Sequence, residues 1–263
     1  MNIAVCVKQV PSSNEVRMDP VTKTMIRDGK QAVMNPYDRF AVELALQMKD
    51  RLGGRIVVFS MGIPAASRIL KEALSCGADE AVLLSDRAFA GADTLATSYA
   101  LHLGIRKVEE RCSRFDVILC GRMAIDGDTA QIGPELAEHL GVVPITDVAE
   151  LLEAETDRLV CVRTADGERQ EVAATYPVLL TVHKDINQPR LPHIEGVLWA
   201  ETAPLQVWSA QEVGADLSRC GLTGSPTQVV RTQVPEREQA CQMWQGGAAE
   251  LASRLHGLLK GEE

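Results

Sequence analysis

The stretch Gly121–Gly133, GRMAIDGDTAQIG, holds the densest set of groups able to meet a ligand. Its glycines and other small residues let the backbone come close to a bound molecule. Two aspartates, Thr129 and Gln131 add hydrogen-bonding side chains. The stretch follows the apolar run DVILC and leads into a helical pattern, so it reads as a strand-to-helix loop. A helix beginning near Thr129 offers free N–H groups and the positive end of its dipole, which suits a phosphate. The chemistry indicated is nucleotide binding, and a long capped turn is the competing structural reading. Ser85–Ser98, SDRAFAGADTLATS, makes a second case. Gly91-Ala92-Asp93-Thr94 is a small-residue turn into a helix, where Asp93 or Thr94 is the N-cap. An ordinary cap explains that turn equally well.

Other chemistries find no support. GxGxxG does not follow the first apolar run, and GxxxxGK[ST], GxSxG and HExxH do not occur. Asp126 and Asp128 read as capping or solvated groups, not as metal ligands. His102, His139, His183, His193 and His256 are scattered, and the first two lie within helical patterns as packing or surface residues. The seven cysteines include no CxxC pair. Cys6 and Cys120 sit in apolar runs as small hydrophobes, and the set reads as reduced thiols of a cytoplasmic protein. A nucleotide binder with no nucleophile beside a base reads as a carrier, not as a stand-alone enzyme. The net charge of −9 and the lack of a Lys/Arg run argue against nucleic acid. No apolar run reaches the roughly 18 to 20 residues of a membrane-spanning helix. MNIAVCVKQV reads as a strand and not as a signal peptide.

The elements that must position these loops alternate along the chain. Strands are expected over Asn2–Lys8, Arg55–Ser60, Glu80–Leu84 and Asp116–Cys120. Helices are expected over Tyr37–Leu52, Pro64–Ser75, Asp93–Glu110 and Thr129–Leu140. This order predicts an α/β fold: a Rossmann-like, mainly parallel sheet with helices on both faces. β-Hairpins are expected over Val16–Ile26 and, around Asp166-Gly167, between Asp147–Thr164 and Arg169–Thr175; Pro177–His183 is a further core strand. Residues 1–184 form the nucleotide-binding domain in this reading. Residues 185–263 form an extended C-terminal arm with no long periodic element before an amphipathic helix at Gly247–Leu259. In open α/β sheets ligands bind beyond the carboxyl ends of the strands, which singles out Gln9–Ser13, Ser60–Pro64, Ser85–Thr94 and Gly121–Gly133.

Five segments occur in a specific order: Val7-Lys8-Gln9-Val10-Pro11, Met34-Asn35-Pro36-Tyr37-Asp38, Gly91-Ala92-Asp93-Thr94, Gly121 to Gln131, and Asn187-Gln188-Pro189-Arg190. Together, over Asn2 to about Ala200, they resemble the beta (small) subunit of electron transfer flavoproteins, nearest the FAD-binding, electron-bifurcating type. The resemblance implies a heterodimer with an alpha subunit that carries FAD on a mobile domain. The beta subunit then holds a second FAD or AMP. Bifurcating members take hydride from NADH, sending one electron to ferredoxin or flavodoxin and the other towards an acyl-CoA dehydrogenase or quinone. The forms of the Gly91–Thr94 turn with Ser98 and of Asp126–Thr129 resemble the FAD-binding version, with AMP as the alternative. Carried over by position, Cys6, Asn35, Pro36, Tyr37, Asp38 and Met61 surround the adenosine. Gly121, Arg122, Met123, Ala124, Ile125, Asp126, Gly127, Asp128, Thr129, Ala130, Gln131 and Ile132 wrap its phosphate, and Asp93, Thr94 and Ser98 serve the rest of an FAD. Ile194 takes the place of the apolar anchor of a recognition loop that docks on an acyl-CoA dehydrogenase-type partner. The Lys-rich stretch common after that loop is replaced by Glu201-Thr202-Ala203-Pro204, which puts the usual dehydrogenase partner in question. An unrelated ATP-binding α/β protein is the remaining alternative, disfavoured by the missing Gly-rich motifs and the long arm.

Overall fold

The computed structural model describes residues 1–12, 32–230 and 241–261. The hairpin expected over Val16–Ile26 lies outside the described residues. The chain divides into two units, Met1–Val229 and Val230–Glu263. The first holds, in chain order, β1 (Asn2–Cys6), β2 (Gln9–Pro11), β3 (Ala32–Met34), α1 (Pro36–Leu52), β4 (Arg55–Met61), α2 (Ser67–Cys76), β5 (Glu80–Leu84), α3 (Thr94–Glu109), β6 (Val117–Gly121), α4 (Ile132–Leu140), β7 (Val143–Ala154), β8 (Arg158–Ala165), β9 (Glu168–Thr175), β10 (Val178–Val182), α5 (Ile194–Ala200) and β11 (Leu205–Trp208). The second holds α6 (Ala248–Lys260), the expected amphipathic helix, ended by Gly261 in the left-handed region at φ 70°. Among the described residues no helix is long and apolar enough to cross a membrane.

The strands form one sheet in the order β11-β5-β4-β1-β6-β10-β7-β8-β9. It is parallel from β11 to β7, and β8 and β9 extend it antiparallel. Strands β5 and β10 are buried along their whole length, which is why they read as continuous apolar runs. Alternate residues of β1 face opposite ways. Ile3, Val5 and Val7 enter the core beneath α1 and α2; Ala4 and Cys6 enter the one beneath α3 and α4. The mainly parallel sheet with helices on both faces is as expected. The Asp166-Gly167 hairpin is present too: both residues have positive φ, 52° and 80°, as a type I′ turn between β8 and β9 requires.

Three expectations change. Helix α4 starts at Ile132, not Thr129, because Asp128 and Ala130 sit at φ 49° and 55°, which a right-handed helix excludes. The span Asp147–Thr164 is two strands, β7 and β8; β7 begins at Val143 and its irregular register with β8 blurs the period-2 pattern. Residues 185–229 hold α5 and β11, and β11 pairs with β5 inside the main sheet. At seven and four residues, both are too short to show a period.

Candidate functional site

From β1 the chain moves to β4 and β5 on one side, then crosses to β6 and β10 on the other. The strand order therefore reverses between β1 and β6, and the crevice beyond their carboxyl ends is the place for a ligand. Its floor is Cys6 beside Cys120, register partners on the two strands. Met61 ends β4, two residues past Phe59, the partner of Cys6.

One wall is the start of α1. Pro36 supplies a fixed φ in its first turn and Asp38 an acidic group near the positive end of the dipole. Asn35 does not cap the helix; its buried side chain crosses to the β6–α4 loop. Asn35 Nδ2 donates to Met123 O (2.9 Å) and Asp38 Oδ1 (2.9 Å), while Asn35 Oδ1 accepts from Ile125 N (3.2 Å). Asp38 Oδ2 accepts from Lys8 N at 2.7 Å. Burial pushes the Asp38 carboxyl up to about 7, against the pull of the hydrogen bonds from Asn35, Lys8 and Gly121 and of the Lys8 charge. Lys8 Nζ reaches over to Asp126 Oδ1 at 2.6 Å. Gly121 is required at the strand end: a Cβ there would stand 2.7 Å from Tyr37 C and 2.8 Å from Asp38 N, and collide with Asp38 Oδ1. The first half of the loop is thus pinned from three sides.

Its second half is open. Asp128 and Ala130 are both left-handed, and left-handed residues are the kind that turn successive N–H groups towards an anion. Among the described residues, no group accepts from the amides of Thr129 to Gly133, whereas Gly127 N and Asp128 N both donate to Ala124 O. These amides lead into the N-terminus of α4. Gly133 lets that helix lie directly on β10, since a Cβ would collide with Thr181 Cγ2.

The N-terminus of α3 abuts this loop. Thr94 Oγ1 lies 3.2 Å from Gln131 Oε1 and 2.9 Å from Glu135 Oε1, and Glu135 Oε2 is shielded from water without a partner. Asp93 is the cap: Oδ1 accepts from Ala96 N (3.1 Å), and Oδ2 accepts from Thr227 N (3.1 Å) and Thr227 Oγ1 (2.9 Å). Asp93 N in turn donates to Ser225 Oγ at 2.8 Å. Ser98 is fully buried and its hydroxyl donates to Leu95 O.

The structure therefore brings Cys6, Asn35 to Asp38, Met61, Thr94 and the loop Gly121–Ile132 to one end of the sheet. Arg122 turns aside towards a cleft lined by Asp147, Glu150, Arg169 and His183, 3.2 Å from Asp147 Oδ1 without hydrogen-bond geometry. Ser98 points into the core. Ile194 stands apart at the start of α5, 82% exposed beside Leu191 and Leu198. Sequence reasoning missed Lys8, Glu135, and Ser225 with Thr227. Lys8 stood in a quoted motif, and its reach to Asp126 needed the register of β1 on β6. The Ser225 segment caps a helix 132 residues upstream, with no local signal.

The mount of Ile194 is explicit. Asn187 Nδ2 donates to Phe40 O at 3.0 Å. Arg190 forms a fork on buried Glu43, Nε to Oε2 at 2.9 Å and Nη2 to Oε1 at 3.0 Å, with Nη2 also on Asp50 Oδ2 at 2.9 Å. Gly196 lets α5 touch α2, because a Cβ would collide with Ser75 O.

The chain is similar to known proteins over most of its length. The family model described as "Electron transfer flavoprotein domain" matches residues 22–213. The chain is 44% identical over 256 residues to an electron transfer flavoprotein subunit beta of Thermoanaerobacterium thermosaccharolyticum, covering 97% of this chain and 96% of that one. It is 45% identical over 238 residues to the protein FixA of Bradyrhizobium diazoefficiens, covering 89% and 83%. It is 42% identical over 262 residues to subunit CarD of the caffeyl-CoA reductase–Etf complex of Acetobacterium woodii, covering 99% and 98%. With most of its length matched at this identity, the chain belongs to the electron transfer flavoprotein family, as a relative of its beta subunits.

Proposed function

We propose that this chain is the beta subunit of a heterodimeric electron transfer flavoprotein and holds an FAD across the crevice between β1 and β6. The observation that carries the reading is the convergence of two helix N-termini. The open amides of Thr129 to Gly133 lead into α4, and Thr94 at the start of α3 touches Gln131 and Glu135. The open amides before α4, with the Thr94 hydroxyl at the start of α3 beside them, suit a pyrophosphate, where a monophosphate needs one such set. The residues fit the group. Gly121 admits close backbone approach, Asn35 and Lys8 hold the loop open, and Met61 and Cys6 give the adenosine end an apolar floor. Asp93 and Ser98 act here by fixing the start of α3, since their polar atoms are already bonded within the chain.

When bound, FAD supplies the redox chemistry, accepting and passing electrons on its own ring system. The chain binds, orients and shields it. The alpha subunit supplies the rest of the flavin environment. NADH or an acyl-CoA dehydrogenase is the electron donor and ferredoxin, flavodoxin or a quinone pathway the acceptor, in a bifurcating arrangement. The relative named as part of a caffeyl-CoA reductase complex supports a partner of the acyl-CoA dehydrogenase type, met at Ile194. The internal bonding of Asp93 favours the second reading, AMP in the first phosphate site alone, with electron transfer left to the alpha subunit.

The test is the nucleotide content of the heterodimer after denaturation. Two FAD and no AMP per heterodimer support the first reading, and NADH-dependent ferredoxin reduction then tests bifurcation. One FAD and one AMP establish the second.

A further inference from the structure

Cys6 and Cys120 stand as direct register partners on the parallel strands β1 and β6, at the floor of the crevice. Neighbouring strands lie about 4.7–4.9 Å apart, inside the roughly 4.4–6.8 Å window of Cα separations that a disulfide spans. Both side chains point to the same face, into one apolar cluster. Both thiols are free. Cys6 closes β1, and Cys120 is followed only by Gly121 before the loop, so the sulfurs can close at strand ends with the ladder below left intact. They differ from Cys161, which is fully buried without a neighbouring thiol, since Cys6 keeps 6% exposure at the crevice end. The neighbouring Cys6, then burial and the nearby Asp38 charge, push the Cys120 thiol up, so oxidation here is slow and the pair is held reduced by default.

We propose that Cys6 and Cys120 form a cross-strand dithiol, a modification site that a small peroxide closes to a disulfide. The Cys6 sulfur, nearer the crevice, attacks one peroxide oxygen, becomes a sulfenic acid and releases the other oxygen as water. The Cys120 sulfur then displaces the hydroxyl, the S–S bond forms and a second water leaves. Two thiols lose two electrons and two protons, and the peroxide takes up both. The bridge ties β1 to β6 at the base of the crevice and locks the spacing of its two walls.

The experiment uses the intact heterodimer carrying Cys112→Ser and Cys241→Ser, which remove the exposed thiols. The complex is titrated with hydrogen peroxide, remaining thiols are alkylated in denaturant, and unreduced peptides are mapped by mass. The expected product is the Cys6 peptide joined to the Cys120 peptide, two hydrogens lighter than their sum, with both thiols vanishing together about tenfold faster than that of Cys161. In Cys120→Ala, Cys6 should stop at the sulfenic or a higher acid, and no linked peptide should form. Separate alkylation of Cys6 and Cys120 at a dose that oxidises Cys161, or oxidation of either one without a link, overturns the proposal. The titration is run with and without bound nucleotide, because the proposed adenosine covers Cys6; the link should form faster in the emptied crevice, and its failure to form in either state overturns the proposal.

Discussion

Asp38 gives the sharpest test of how the site is held. Burial raises its carboxyl from the ordinary 3.8 to about 7. Between those values the folded chain keeps a proton that the unfolded chain has released. Stability from this group is therefore complete below pH 4 and lost as pH rises through 7. At about 1.36 kcal/mol per unit, the loss between pH 4 and pH 7 is about 3 kcal/mol. The histidines act in the opposite sense. Burial, with the charges of His139, Arg106 and Arg219, holds partly exposed His102 down at about 4, and burial lowers His139. The unfolded chain binds those protons first, so their contribution rises with pH between about 4 and 6.5, muted by solvent. The two trends offset each other in the native protein. Asp38→Asn removes the falling one. Asn offers one acceptor where both Asp38 oxygens accept, so the variant should lose about 1–3 kcal/mol at pH 4.5. The gap should close, and can reverse, by pH 7.5. Urea unfolding of both proteins from pH 4.5 to 7.5 measures this. Parallel stability profiles would refute the assignment of a neutral, buried Asp38.

The remaining tests address the loop and the mounts. Asn35→Ala strips partners from Met123 O, Ile125 N and Asp38 Oδ1; it should cost about 3–5 kcal/mol in urea unfolding and leave the purified heterodimer short of nucleotide. Gly121→Ala should retain at least about tenfold less nucleotide on gel filtration, because the collision with Asp38 and Tyr37 forces the strand end out of place. Glu43→Ala should cost about 2–4 kcal/mol and raise the proteolytic sensitivity of residues 186–200, by removing the buried half of the fork that holds Arg190. Ile194→Glu should leave stability and nucleotide content unchanged, given its exposure, yet slow electron exchange with an acyl-CoA dehydrogenase about tenfold or more in stopped-flow measurements.

The sheet was legible because parallel strands buried on both faces are apolar without interruption, and because Gly53, Gly77 and Gly141 end helices where the periodicity stops. The start of α4 was not. Asp128 and Thr129 are typical cap residues and Ala130 and Gln131 are good helix formers, so the run reads as a helix start and hides two left-handed residues. The difference matters chemically, since it moves the groups proposed to meet a phosphate from a helix terminus to a loop that leads into one. The side chains of Asp93 and Ser98 show the converse. Their types suit a ligand, yet the partners that occupy them are Thr227 in one case and a carbonyl of their own helix in the other. The first is distant in sequence, and the second is an alternative that any helical serine has.

Helix α1 joins the two halves of the proposed function. Its start holds the β6–α4 loop through Asn35 and the chain after β1 through Asp38, and further along it holds Asn187 and Arg190 through Phe40 O, Glu43 and Asp50. The contacts are close along the helix: Phe40 lies about one and a half turns and Glu43 just over two turns from Asn35. A helix packed on β1 and β6 along its length does not flex between those points. The spacing between the nucleotide cradle and the exposed Ile194 is then set by one rigid strut, not by the intervening 60 residues of sheet and hairpin. Glu43→Ala should accordingly loosen docking while nucleotide content stays at the native ratio, and Asn35→Ala should empty the cradle while Arg190 keeps its fork. A Glu43→Ala protein that also sheds its nucleotide would mean that α1 itself has moved, and that the strut is not independent of what it carries.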